Sequence, residues 1–313
     1  MRFAFAGTPE FGAAVLKELM RGGRTPELVV SQPARPAGRG RRLTASPATV
    51  LARAEHLPCV ETEDINSDDV LAALAGCRVD ALVVAAFGQM LRTPLLTSFE
   101  CVNVHASLLP AYRGAAPIVR ALMAGEEQTG VCIMRMTEGL DEGPVAARAT
   151  IGVTPWDDRD ALETTLALMG ARAVAHVMDA MAGGYVQWRP QVGPTSYATK
   201  IGASDRVVDP NKTAAQVHDH VRALSPVPGA TVRIGDVPAR LLRTWPGSGA
   251  GAAAGSVAGR PGEWACEGDR LFLGCGEGWV EALTVQPSGK RIMTAAEFVR
   301  GYRSRLGRIA RDS

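Results

Sequence analysis

Three polar residues stand out as a set that could do chemistry. Asn103 and His105 end the apolar run "CVNVH", and Asp141 lies in the glycine-flanked turn "EGLDEGP". Side chains alternate along a strand, so Asn103 and His105 share one face. Ligands of open parallel sheets sit beyond the carboxyl ends of the strands. A strand ending in Asn-x-His therefore brings an amide donor and an imidazole into that crevice. An amide N–H stabilises a developing oxyanion, worth about 10²–10³ in rate, and an imidazole moves protons near neutral pH, worth about 10²–10⁴. The strand "TGVCIMRM" precedes Asp141 and is expected to finish at the same carboxyl edge, so that Asp141 reaches His105 and orients its ring. Taken singly, each residue has a plainer reading: a polar strand end bonded to backbone, or a turn-forming aspartate.

Other reactive-looking residues carry less. Cys101 in "ECVNV" reads as a small apolar packing residue rather than a nucleophile. The pair His218 and His220 in "VHDHV" invites a metal, but residues two apart do not share a helical face. The six cysteines are scattered without a C-x-x-C pair, as in a reducing compartment.

The elements needed to position the trio follow from the pattern. "MRFAFAG", "ELVVSQ", "VDALVVAAF", "VNVH" and "TGVCIMRM" read as buried strands. They alternate with helices at "PEFGAAVLKELMRGG", "SDDVLAALAGC" and "APIVRALMAG", and a long helix over 156–184 closes the half. This predicts an α/β class fold: an N-terminal Rossmann-like domain with a mostly parallel sheet. The turn-rich stretch 186–206 reads as a linker between a domain over 1–185 and another over 207–313. The second half opens with the helix "KTAAQVHDHVRAL". A Gly-Asp hairpin, three more short strands and a helix capped by Thr294 and Glu297 follow, which predicts a small OB-like β-barrel.

A chain of 313 residues fits two domains at roughly 100–200 residues each, and 46% apolar content is enough for full cores. No apolar run is long enough to cross a membrane and no signal peptide is recognisable, so a cytoplasmic protein without membrane contact is expected. Charge is uneven. Residues 207–313 carry 14 Lys/Arg against 10 Asp/Glu, whereas residues 1–206 carry 20 against 22. The stretch "QPARPAGRGRRLTASP" has four arginines and no acid, and its glycines and prolines are expected to exclude a regular element. Either solvated surface or a polyanionic partner accounts for it.

Five stretches together resemble the bacterial methionyl-tRNA formyltransferase family: "AGTPEFG" at 6–12, "QPARPAGRGRRL" at 32–43, "VNVHASLLPAYRGAAPI" at 102–118, "TGVCIMRMTEGLDEG" at 129–143 and "LTVQPSGKRIM" at 283–293. The Asn-x-His pattern with a downstream Asp is shared by the wider folate-dependent formyltransferase group. The arginine stretch and the C-terminal half narrow the resemblance. It implies that Asn103, His105 and Asp141 form the formyl-transfer centre and that the donor is 10-formyltetrahydrofolate, with no metal. It implies folate contacts from Ser107, Leu108, Leu109 and Pro110, and a pterin wall from Phe87, Gly88, Met90 and Leu91. It further implies that Arg35, Arg39, Arg41 and Arg42 enter the acceptor stem of the initiator tRNA. Lys290 and Arg291 would lie on a basic C-terminal face, in a monomer. One departure is Val227, where the family often has an aromatic.

Three other readings keep parts of this pattern, and the first, a non-catalytic RNA-binding module, explains the arginines but leaves Asn103, His105 and Asp141 idle. A dinucleotide oxidoreductase lacks its G-x-G-x-x-G. Formyl transfer to a sugar amine or to glycinamide ribonucleotide keeps the trio and does not need the arginines.

Overall fold

The structure is a computed structural model that describes residues 1–37, 40, 42–247 and 260–302. In chain order it contains β1 (Phe3–Gly7), α1 (Glu10–Arg21), β2 (Leu28–Ser31), β3 (Arg35–Ala37), β4 (Arg42–Thr44), α2 (Pro47–Ala54), β5 (Cys59–Glu61), α3 (Asp68–Gly76), β6 (Ala81–Ala85) and α4 (Thr93–Ser98). Next come β7 (Glu100–His105), β8 (Arg113–Gly114), α5 (Pro117–Met123), β9 (Gln128–Arg135), β10 (Val145–Gly152), α6 (Arg159–Ala182) and β11 (Tyr197–Ala198). The remainder holds α7 (Ala214–Leu224), β12 (Ala230–Ile234), β13 (Val237–Gly247), β14 (Trp264–Glu267), β15 (Arg270–Gly274), β16 (Trp279–Pro287), β17 (Met293–Thr294) and α8 (Ala295–Tyr302).

The chain divides into two units. One comprises Met1–Pro117, Gln128–Gly152 and Glu163–Thr199; the other comprises Ile118–Glu127, Val153–Leu162 and the chain from Lys200 onward. The first unit is built on a seven-stranded sheet of order β10-β9-β7-β6-β1-β2-β5. Its five strands from β7 to β5 are parallel. β1 and β6 are buried along their whole length, as strands covered on both faces must be. A cluster including Ala4, Val30, Leu82, Val84, Phe87, Leu91 and Leu95 forms the core on one side. Burial of a side chain such as Phe87 or Leu91 contributes roughly 1.5–3 kcal/mol.

Two expectations are corrected here. β9 runs antiparallel to β7, pairing Val102 with Arg135 and His105 with Cys132, so it ends beside the start of β7 and not at the carboxyl edge. The chain then reverses into β10, which also pairs antiparallel, and Asp141 is brought back by the loop between them. The arginine stretch does contain a regular element. β3 and β4 form a two-stranded antiparallel hairpin, with Arg35 opposite Thr44 and Ala37 opposite Arg42. A two-stranded ribbon leaves half its backbone groups unpaired, so Pro36 costs it little.

The second unit carries an antiparallel sheet of order β12-β13-β16-β15-β14, with β17 on β16. Its edge strands are bridged by the Trp264 indole, which donates to the Arg233 carbonyl at 2.8 Å. Capping boxes start two of its helices. Thr213 and Gln216 start α7, and Thr294 and Glu297 start α8 as the sequence predicts. Buried Arg222 explains why residues 153–162 belong to this unit: its guanidinium donates to the Thr154 and Asp157 carbonyls at 3.0 Å each.

Candidate active site

Packing decides which face of β7 carries Asn103 and His105. Val104 lies against α6, where a Cβ on Gly170 would stand 2.5 Å from Val104 Cγ1. Only glycine allows that approach, and strand alternation then turns Asn103 and His105 to the other face. Both are buried, at 9% and 5% exposure. β7 adjoins β6, with Asn103 opposite Val84, so the trio lies close to where Ala86–Leu91 leaves the sheet.

Asp141 joins the two. Asn103 Nδ2 donates to its Oδ1 at 3.4 Å, and His105 Nδ1 stands 3.6 Å from its Oδ2, an ion-pair distance when the ring is charged. The Gly114 amide donates to the same Oδ2 at 2.8 Å. His105 Nε2 lies 2.9 Å from the Tyr112 carbonyl. A carbonyl only accepts, so Nε2 carries a proton and Nδ1, facing Asp141, is the nitrogen left to gain or lose one. A buried amide, an imidazole and a carboxylate within hydrogen-bond or ion-pair reach can hold an oxyanion and move a proton.

The segment after α6 holds this geometry in place. β11 pairs parallel with β8, and Ser196 Oγ accepts from the Tyr112 amide at 2.9 Å. Gly114 has φ +116°, and a Cβ there would stand 2.9 Å from the Ala198 carbonyl. Gln191 Nε2 donates to the Asp141 and Gly143 carbonyls, both at 2.8 Å. Tyr112, Gly114, Gln191 and Ser196 were not singled out by sequence. Tyr112 and Gly114 act here through backbone groups, which side-chain patterns do not report. Gln191 and Ser196 lie in a turn-rich stretch without periodicity.

The other predicted residues spread around this centre. Ser107 is fully buried, and its hydroxyl closes a turn on the Ala111 carbonyl at 2.6 Å. Leu109 and Pro110 are buried and Leu108 is half-buried. Phe87 and Leu91 lie in the core, whereas Gly88 and Met90 are exposed. Gln32 ties this segment down, its Nε2 donating to the Phe87 carbonyl at 2.6 Å while Arg35 donates to its Oε1 at 2.6 Å. Arg35 and Arg42 are exposed on the β3–β4 hairpin. Arg39 and Arg41 lie outside the described residues. Lys290 and Arg291 are exposed in the turn before β17, where Arg291 pairs with Glu297 at 2.9 Å. Val227 is 64% exposed.

Cys101 and His218, two of the competing reactive groups, have structural explanations. Burial pushes the Cys101 thiol up to about 12, so it is not a thiolate at neutral pH. His218 commits both ring nitrogens to protein, at 3.1 Å from Thr244 Oγ1 and 2.9 Å from the Pro155 carbonyl. Among the described residues no group of His, Cys, Asp and Glu is arranged to hold a metal, and no helix is long and apolar enough to cross a membrane.

An α/β sheet that delivers an amide, an imidazole and a carboxylate to one spot defines an acid–base centre suited to group transfer. The model of the family described as formyl transferase matches residues 1–178, and that of the formyl transferase C-terminal domain matches residues 200–303. The chain belongs to the formyl transferase family. It is 42% identical to the methionyl-tRNA formyltransferase of Halorhodospira halophila, over 96% of each chain. It is 38% identical to that of Aromatoleum aromaticum, over 96% of this chain and 94% of the relative. HypX from Aquifex aeolicus in complex with tetrahydrofolic acid shares the fold, with a TM-score of 0.65 at 16% identity. That match covers 100% of this chain and 48% of HypX, so the chain spans about half of that protein's length. Methionyl-tRNA formyltransferase from Clostridium thermocellum matches with a TM-score of 0.54 at 12% identity, over 80% of this chain and 95% of the other.

Proposed function

We propose that the chain transfers the formyl group of 10-formyltetrahydrofolate to the α-amine of methionine carried on initiator tRNA. The observation that carries this reading is near-full-length identity of about 40% to methionyl-tRNA formyltransferases, in a chain whose Asn103, His105 and Asp141 converge. The donor supplies an already activated formyl group, so the chain's task is to position it and handle charge and protons. Asn103 offers its amide to the oxyanion that develops on the formyl oxygen. His105 and Asp141 take the proton lost by the attacking amine and return it to the departing folate nitrogen. One C–N bond forms, one breaks, and no net proton is consumed. Asp141 also balances the charge of the protonated ring.

The folate would lie along the lip formed by Gly88, Met90 and Leu108. Phe87, Leu91, Leu109, Pro110 and the closed Ser107 turn would support that lip from beneath. An exposed apolar edge on a rigid floor suits a flat pterin. Residues 1–185 would form the catalytic domain, 186–206 the connection, whose first part packs on that domain through Gln191, Ser196 and β11, and 207–313 the tRNA-binding domain. Arg35, Arg39, Arg41 and Arg42 would meet the acceptor stem, with Lys290 and Arg291 on the RNA backbone. The enzyme would act as a cytoplasmic monomer. The test is formyl transfer from 10-formyltetrahydrofolate to charged initiator tRNA, to amino sugars and to glycinamide ribonucleotide. Preference for the charged tRNA is expected. A better rate with either small amine would overturn the reading.

A further inference from the structure

We propose that Gln191 is a positioning residue for this reaction: its carboxamide locks the Asp141 turn to the Arg113 strand and so sets the aim of the Asp141 carboxylate. The inference rests on the formyl-transfer reading. A carboxamide offers two N–H donors and one oxygen with two lone pairs, and here both ends are used. Nε2 donates to the Asp141 and Gly143 carbonyls at 2.8 Å, while Oε1 accepts from Arg113 Nε at 3.2 Å and from its terminal nitrogen at 2.8 Å. A guanidinium only donates and a carbonyl only accepts, so the four partners fix which way the amide points.

The turn it grips needs such a hold. Asp141 has φ +51°, a left-handed conformation uncommon for a residue with a Cβ, although aspartate takes it up more readily than most. The Asp141 side chain is aimed by that backbone. Its Oδ2 accepts from the amide of Gly114, the neighbour of Arg113. Gln191 and the Asp141 carboxylate thus join the same two segments at two points. Removal of one leaves the other to hold a left-handed turn. Arg113 keeps a second partner, Glu142, at 3.3 Å, so loss of Gln191 does not strand its charge.

Two variants test this. Gln191→Leu removes all four bonds, while Gln191→Glu keeps an acceptor for Arg113 and loses the donors to the two carbonyls. Both are expected to lower kcat roughly 10- to 100-fold, the scale of a displacement of about 1 Å, with KM for both substrates within about threefold of the parent. A substrate-free measurement accompanies the kinetics: hydrogen exchange of the Gly114 amide, expected to quicken at least roughly tenfold when Asp141 loses its aim. If the parent itself fails to formylate charged tRNA, the functional reading falls, and Gly114 exchange still decides the role of Gln191. If Gln191→Leu does not fold, Gln191→Glu carries both measurements. Parental Gly114 exchange in a folded variant would overturn the proposal.

Discussion

His105 and His218 occupy similar environments, and the formyl-transfer proposal gives them different work. Each is 5% exposed, and each sets one ring nitrogen 2.9 Å from a backbone carbonyl, Tyr112 for the first and Pro155 for the second. Their second nitrogens differ. His218 Nδ1 meets the hydroxyl of Thr244 at 3.1 Å, a neutral group that satisfies the neutral ring. Its pKa is lowered, chiefly by burial. His105 Nδ1 meets the carboxylate of Asp141, which accepts a proton or balances a charge. Trp245 packs edge-on to His218 at 5.6 Å and Trp156 stacks on Trp245 at 3.9 Å, so that ring is built into packing. On the formyl-transfer proposal the second partner separates the two buried histidines: a hydroxyl for the ring built into packing, a carboxylate for the ring expected to move protons.

The largest effect expected from this contrast is on turnover. His105→Ala should lower kcat by about 10²–10⁴, the contribution of a positioned acid–base group, while binding of charged tRNA stays near the parent's. Single-turnover formylation alongside a binding assay separates the two. Near-parental turnover would erase the distinction between the histidines.

The two rings were unequally legible in sequence. His105 could be singled out because strand alternation pairs it with Asn103 at the end of an apolar run, a signal local to a few residues. Its connection to Asp141 could be anticipated, but the route could not. β9 is as apolar as a parallel strand, and nothing local reveals that it runs antiparallel and that a left-handed turn returns the aspartate. β10, "VAARATIG", was overlooked because an edge strand alternates half-exposed small residues and never forms an apolar run. The β3–β4 hairpin was hidden by Pro36 and its glycines. Gln191 carried no local signal, since its importance lies entirely in partners about 50 and 80 residues away in sequence.

The next effect should appear in stability. His218→Ala leaves the Thr244 hydroxyl and the Pro155 carbonyl without their partner and opens space beside Trp245. A loss of about 1–3 kcal/mol is expected, with turnover per folded molecule close to the parent's. Denaturant unfolding followed by tryptophan fluorescence measures it directly. Stability within error of the parent would mean that His218 is not the structural member of the pair.

A smaller effect concerns pH. Burial lowers the pKa of both His218 and His220 from their ordinary value of 6.5. The unfolded chain then binds protons near pH 6.5 that the folded unit refuses, so stability rises with pH and is lost as pH falls below about 6.5. The second unit should melt progressively earlier from pH 7 to pH 5, and the trend should be shallower in His218→Gln. Melting that is flat across this range, or equally steep in the variant, would contradict the burial argument.

The smallest effect expected separates buried groups from surface charge. Arg42 is exposed on β4, its carbonyl fixed by the Thr44 hydroxyl at 3.1 Å while its side chain faces water. A cation so placed adds little to folding and, in the proposed tRNA contact, would act mainly by displacing counterions. Arg42→Ala should reduce the log–log salt slope of tRNA binding by roughly 0.7–0.9, the signature of one lost phosphate contact. His105→Ala should leave that slope unchanged, because a buried ring contacts no phosphate. Arg42→Lys keeps the charge and loses the planar fork, so its slope should match the parent's while the preference for initiator over elongator tRNA falls. Formylation of both charged tRNAs at several salt concentrations reads all three variants together. A parental slope for Arg42→Ala and a parental preference for Arg42→Lys would make the hairpin ordinary solvated surface, leaving recognition of the RNA to the rest of the chain.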